Sequence, residues 1–266
     1  MINSKLIIPY ISLGAILILQ NALVYGREWQ ILKGEHFIVY FEEDKKFAKE
    51  VLDRAEQYYR RIAEDLGYTR YSNFWLWENR VKIYIYPDHS AFIKESRQPS
   101  WSRGMADYTH KRILSFRGCI DFLSKILPHE LTHLIFRDYI GFKGEVPLWL
   151  DEGVAMWQEE DKRQEAQQIV KSLLKQHKLL SLKTLTTLDI RRVEDRNLAG
   201  IFYMEAISLV GFMIKRYGTQ RFIEFCRELR DGKSINEALS FAYPNSISSI
   251  EKLEEAWIEY IREENS

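Results

Sequence analysis

The spacing of hydrophobic and polar positions changes character partway along the chain. In the first half, three short runs are rich in β-branched and aromatic residues: His36 to Phe41 (HFIVYF), Val81 to Tyr86 (VKIYIY) and Arg112 to Phe116 (RILSF). Each reads as a strand. Between the first two, Phe47, Val51, Ala55, Tyr58, Ile62 and Leu66 recur at three- and four-residue steps. That spacing predicts an amphipathic helix over 44–66, capped by Asp44 and stopped by Gly67 in a left-handed conformation. A short helix around Ala91 to Lys94 follows the break at Pro87 and Asp88. The basic, glycine-containing segment from Arg103 to Tyr108 fits no element by pattern.

From Asp121 onward the spacing is helical, with breaks at Gly141, Gly144, Ser181, Gly218 and Gly232. Ser234 with Glu237 forms a capping box ahead of Ala238 and Leu239, and Trp257, Tyr260 and Ile261 stripe the last helix. Strands first and helices second predict an α+β fold. The expected organisation is a sheet-containing subdomain over 27–140 and a helical subdomain over 141–266. At 266 residues the chain can form one large domain or two small subdomains sharing a cleft.

The first 26 residues stand apart. Lys5 precedes an apolar stretch from Leu6 to Leu19, then Gln20 and Asn21, with Val24 and Gly26 small enough for the −3 and −1 positions of a cleavage site. This layout predicts a signal peptide over 1–26 and an exported protein, periplasmic or extracellular. An uncleaved anchor over Leu6 to Tyr25 is the alternative, and only then does the chain meet a membrane; the run is short for a span and is interrupted by Pro9 and Gly14. Basic and acidic residues balance at 38 each, so no long-range field draws the chain to nucleic acid, and none is expected as a partner. Cys119 and Cys226 are the only cysteines. They could bridge in an exported chain or be two buried small residues, and neither has a metal-ligand spacing.

One segment has spacing with direct chemical meaning. In His129-Glu130-Leu131-Thr132-His133, two histidines four apart on a helix present both imidazoles to one point, where a single Zn2+ fits. Glu130, one step round, is placed to contact a metal-bound water rather than the metal. Pro128 should strain or begin this helix. A catalytic zinc needs a third protein ligand. A metzincin continuation is excluded, because Phe136 and Tyr139 stand where its Gly and His would be. Further on, Pro147-Leu148-Trp149-Leu150-Asp151-Glu152-Gly153-Val154-Ala155 starts a new helix at Pro147 and places Glu152 one turn inside it. The other histidines, His36, His89, His110 and His177, lack paired spacing and read as surface or strand residues.

Together the two segments resemble the zinc-binding core of gluzincin metallopeptidases in the wider peptidase MA superfamily, where an HExxH helix is followed by a helix carrying W-L-x-E-G-x-A. The resemblance implies His129, His133 and Glu152 as metal ligands, Glu130 as catalytic base, and a zinc site in the cleft between the two subdomains. It also implies zinc-dependent hydrolysis of a peptide or protein substrate. Asp151 departs from the Asn or Ser that relatives often carry. More weakly, Phe202 to Val210, with Arg216-Tyr217-Gly218 beyond, is similar to the tyrosine-bearing helix of small exported members, which implies Tyr203 as the oxyanion donor. In such proteins the strand before the metal helix, here Arg112 to Phe116, borders the cleft and can receive substrate as an extra strand. The competing expectation is a catalytically silent zinc- or peptide-binding envelope module of the same fold.

Overall fold

The computed structural model describes residues 21–24, 27–67, 75–142 and 146–263. A six-stranded mixed sheet occupies the N-terminal half: β1 Asn21–Val24, β2 Arg27–Lys33, β3 Phe37–Phe41, β4 Val81–Tyr86, β5 Met105–Asp107 and β6 Arg112–Phe116. Their order across the sheet is β1-β2-β3-β4-β6-β5. The β3/β4 and β4/β6 pairs are parallel and the other pairs antiparallel. The three strands legible in the sequence form the parallel centre. Those missed are short or flanking: β1, β2, and β5 within the unassigned Arg103 to Tyr108 segment. Most of the proposed signal or anchor lies outside the described residues, and its last part forms β1. Cleavage after Gly26 would remove β1 and leave β2 at the edge.

Alternation along β4 gives the sheet two unlike faces. Val81, Ile83 and Ile85 join the main core, whereas Tyr86 joins Trp29, Phe92 and Leu114 in a smaller aromatic cluster with Tyr84 packed against it. Helix α1, Lys45–Asp65, covers the core face, starting at Asp44, whose carboxylate accepts the Phe47 N–H. Helix α2, His89–Ser96, covers part of the aromatic face and is likewise capped by Asp88.

The C-terminal half is helical: α3 Leu127–Ile140, α4 Leu148–Trp157, α5 Glu160–Lys175, α6 Leu182–Thr187, α7 Arg196–Tyr217, α8 Thr219–Arg230, α9 Ile235–Ala242 and α10 Ile250–Glu263. The expected breaks at Gly141, Ser181, Gly218 and Gly232 fall at helix ends, while Gly144 lies outside the described residues. The capping box at Ser234 and Glu237 is present. Helix α7 is long and apolar enough to cross a membrane by length and composition alone, but it packs against α4, α5 and α8 with most of its apolar window buried.

Pro128 is accommodated by a π-helical turn. Residues Phe122–Ile126 use i to i−5 bonds, with Ile126 N–H donating to Asp121 O and Leu127 N–H to Phe122 O. In that register the next donor would serve Leu123 O, and proline has none. The Tyr58 hydroxyl of α1 donates to Leu123 O instead, at 2.8 Å. Pro128 therefore sits in the first turn of α3, and the last turn is fixed by Arg230 of α8, which donates to Ile140 O at 2.7 Å. Between these ends Leu131, Leu134, Ile135 and Phe136 are buried.

Helices α4 and α7 make a close approach at Gly153. A Cβ there would lie 2.7 Å from Ala206 O and 2.8 Å from Val210 Cγ2, so only glycine lets the two backbones meet. Cys119 and Cys226 are both buried and unpaired. Of the two readings open from sequence, the small buried residues apply.

Candidate metal centre

Helices α3 and α4 pack side by side and carry His129, Glu130, His133 and Glu152, whereas Tyr203 lies on α7. One ligand atom each from His129, His133 and Glu152 lies within 4.8 Å of the other two. The two imidazole Nε2 atoms are 3.1 Å apart, and His129 Nε2 is 3.7 Å from Glu152 Oε2. Tetrahedral zinc with ligand bonds of about 2.0–2.2 Å separates neighbouring ligand atoms by about 3.3–3.6 Å. The observed distances bracket that span, so the donor set fits one such ion. Glu130 is half-buried on α3 between the two histidines in sequence.

Each histidine is oriented by a carboxylate behind it. His133 Nδ1 lies 3.0 Å from Asp151 Oδ1, and His129 Nδ1 lies 3.3 Å from Glu159 Oε1. An Nδ1–H donated to each carboxylate leaves both Nε2 lone pairs aimed at the shared point, the arrangement a metal-ligating histidine needs. Asp151 is also held by Arg137, whose Nη2 donates to Oδ2 at 2.6 Å. Burial opposes ionisation of Asp151, yet His133 and Arg137 keep its carboxyl below the usual range. Burial alone would lower the pKa of His133; the charges of Asp151, Glu152 and Glu130, with the Asp151 hydrogen bond, outweigh it and raise the value to about 9.

Two tyrosines flank the site, Tyr203 on α7 and Tyr108 just after β5. Tyr203 on α7 is half-buried, and burial together with the Glu152 carboxylate pushes its phenol up. Tyr108, directly after β5, sets its ring edge-on to the His133 ring at 6.2 Å, with the Arg137 guanidinium 4.1 Å from the ring centroid. Its phenol is raised by burial and by Asp151 and Glu130. The edge expected at Arg112 to Phe116 is corrected: β6 is paired on both sides, by β4 and by β5. On this side of the sheet the outer strand among the described residues is β5, which lies against α3, with β1 at the opposite edge.

Sequence reasoning missed Glu159, Arg137 and Tyr108 and left Asp151 without a role. The adjacency of Asp151 to Glu152 was a signal. Glu159 gave none, since it stands thirty positions from its histidine, at the turn before α5. Elsewhere, Glu35, His36 and Glu56 also lie close enough to hold an ion. There Glu56 is engaged by the His36 backbone N–H at 2.8 Å and by its Nδ1 at 2.7 Å, and the His36 ring stacks on Tyr59 at 4.0 Å. His36 is thus a buried, hydrogen-bonded residue beside β3 rather than a surface one.

No curated protein matches the chain. Among solved structures it is similar to a mutant M1 zinc metallopeptidase from Deinococcus radiodurans, at 11% identity and a TM-score of 0.41, over 90% of this chain and 50% of that one. This chain therefore spans about half the length of that protein. The sequence model of the Peptidase MA superfamily matches residues 63–263, well over half of the chain and all of α3 to α10. The chain belongs to the peptidase MA superfamily.

Proposed function

We propose that this protein hydrolyses peptide bonds with one zinc ion held by His129, His133 and Glu152. The convergence of these three side chains from two helices, with each imidazole backed by a carboxylate, carries the reading. A zinc ion there supplies Lewis acidity and makes water a nucleophile near neutral pH. With the metal bound, Glu130 would take a proton from the attacking water and pass it to the amine nitrogen as the C–N bond breaks. The Tyr203 phenol, kept protonated by burial and by Glu152, donates a hydrogen bond to the oxyanion. Substrate pairs as an extra strand on the free edge of β5, which brings its backbone alongside α3.

Glu130→Gln tests the mechanism. The variant should retain zinc and lose chelator-sensitive cleavage by about 10²–10⁴-fold, the usual contribution of a positioned base. Retained zinc with undiminished cleavage removes Glu130 from the role. A zinc-loaded wild type that binds peptides and cleaves none would leave the silent binding module. Export of the mature chain is proposed on the layout of residues 1–26, and sequencing of the mature N-terminus tests it: a start at Arg27 supports cleavage, and an intact Met1 supports the anchor.

A further inference from the structure

Two large apolar side chains stand in solvent at the end of the sheet where β6 stops. Trp101, in the loop between α2 and β5, is 79% exposed, and Ile120, just after β6, is 72% exposed. Their backbones are tied together. The His89 ring donates from Nε2 to Ser102 O at 2.8 Å, and the Ser102 hydroxyl donates to Gly104 O at 3.2 Å. Arg103 O accepts from the Ser115 hydroxyl at 2.7 Å and from the Cys119 thiol at 3.6 Å, which brings the loop carrying Trp101 against the turn carrying Ile120. Ser102 and Cys119, next to the two exposed residues, are buried. The fold thus fixes both turns through their backbones and gains little from the indole or the isoleucine side chain left in water. The charge around them is one-sided. Arg97, Arg103, Arg117 and Lys125 are exposed, and Asp121 is the single carboxylate in residues 97–103 and 117–125. Arg97 and Arg103 have no carboxylate partner among the described residues, while Arg117 reaches Glu43 at 3.6 Å and Lys125 reaches Asp121 at 3.9 Å, loose contacts between exposed groups.

We propose that this end of the sheet docks on an anionic lipid surface, with Trp101 and Ile120 entering the headgroup layer and the four cations meeting lipid phosphates. The inference stands apart from the peptidase reading. An indole suits a bilayer interface, where its apolar body is buried and its N–H stays among polar groups. Ile120 adds aliphatic area, and each cation held near an anionic leaflet adds attraction. The charge of the whole chain is balanced, so this attraction is local and acts within a screening length of about 8 Å at physiological salt. The high exposure of both side chains is that of wedges standing clear of the fold, unlike the walls of a groove that would receive a helix or strand of a protein partner. The patch adjoins the start of β5, whose far end leads to Tyr108 beside the His133 ring, so docking holds the metal centre near the lipid.

The test is quenching of tryptophan emission in the full chain by vesicles with brominated acyl chains, made of phosphatidylcholine alone or of phosphatidylcholine and phosphatidylglycerol in equal parts. Residues 1–26 are common to every variant, so any hold they have on the bilayer cancels. The mixed vesicles should quench part of the wild-type emission, and that part should be absent in Trp101→Phe. It should persist in Trp77→Phe, because Trp77 is also exposed but lies before β4, at the opposite end of the parallel strands. Neutral vesicles should quench it less. Arg97→Gln and Arg103→Gln should each raise the lipid concentration for half-quenching about fivefold, and Ile120→Ser should raise it about tenfold. Melting temperatures establish that the variants are folded. Equal quenching in wild type and Trp101→Phe, or indifference to lipid charge, overturns the proposal. Equal quenching in those two proteins, with Trp101→Ser slowing cleavage of a folded protein but not of a short peptide, overturns it in favour of a protein partner.

Discussion

Replacing Asp151 by Asn probes the outer shell of the metal centre with little change in shape. The carboxylate serves two donors, His133 Nδ1 at 3.0 Å and Arg137 Nη2 at 2.6 Å. An amide keeps one acceptor and turns an N–H2 toward the other donor, so either the histidine or the guanidinium loses its partner. Outer partners of ligating histidines are worth about 10- to 100-fold in metal affinity, which is about 1.4–2.8 kcal/mol. A second effect opposes this one at lower pH. With His133 raised to about 9 in the ion-free protein, zinc must displace a proton, and apparent affinity falls about tenfold for each pH unit below that value. Without the Asp151 charge, His133 returns toward the ordinary value of about 6.5, and this competition nearly vanishes at neutral pH. Competition of the protein against a chromophoric chelator should therefore show zinc bound about 10- to 100-fold more weakly by Asp151→Asn near pH 9.5, with the gap closing toward pH 7. The metal-free protein carries the same linkage in its stability. A histidine raised above its unfolded value stabilises the fold fully below about pH 6.5, and that stabilisation is lost as pH rises through about 9. The shift of His133 bounds it at about 3 kcal/mol, so the melting-temperature deficit of the metal-free variant should be largest in acid. Equal zinc affinity near pH 9.5, or the same pH slope in both proteins, would refute the roles given to Asp151 and His133.

Gly153→Ala should destabilise by about 1–3 kcal/mol and weaken zinc binding, because its Cβ meets Ala206 O at 2.7 Å and must push α4, with Glu152, off α7; an unchanged melting curve and zinc affinity would show that the helices yield freely. Glu205 is buried on α7 with Oε1 accepting the Leu180 N–H and Oε2 unpartnered, and burial, aided by Glu254 and opposed by the Leu180 bond, raises its pKa to about 8. An acid raised in the fold costs nothing below its unfolded value, and its penalty grows from about pH 4.5 until it levels off above about 8. Glu205→Gln should thus raise the unfolding free energy increasingly over that interval, by an upper bound of about 5 kcal/mol, and parallel stability curves for the two proteins would contradict this. Tyr58→Phe removes the hydroxyl that donates to Leu123 O and should cost about 1 kcal/mol by chemical denaturation; no change in midpoint would mean that water satisfies the π turn equally well.

Local chemistry in the sequence determined the pieces. Four-residue spacing put His129 and His133 on one face of a helix whatever surrounds it, and the Pro147 start put Glu152 one turn into the next. Period-two runs rich in Ile, Val and Tyr set the parallel centre of the sheet, and the side-chain cap at Asp44 and the capping box at Ser234 set helix starts within one turn. Contacts between distant segments were decided only by tertiary structure, because they depend on which helix faces meet. Whether three ligand atoms share one point depends on the α3/α4 packing and on Gly153 letting α4 reach α7. Glu159, Arg137 and Tyr108 each lie far from the residues they touch or carry no period of their own. The outer strand beside α3 is β5 rather than β6 because a three-residue strand, too short to announce itself by alternation, pairs onto β6 and takes the outer position. Pro128, unreadable in isolation, becomes intelligible once a tyrosine from α1 supplies the hydrogen that proline lacks.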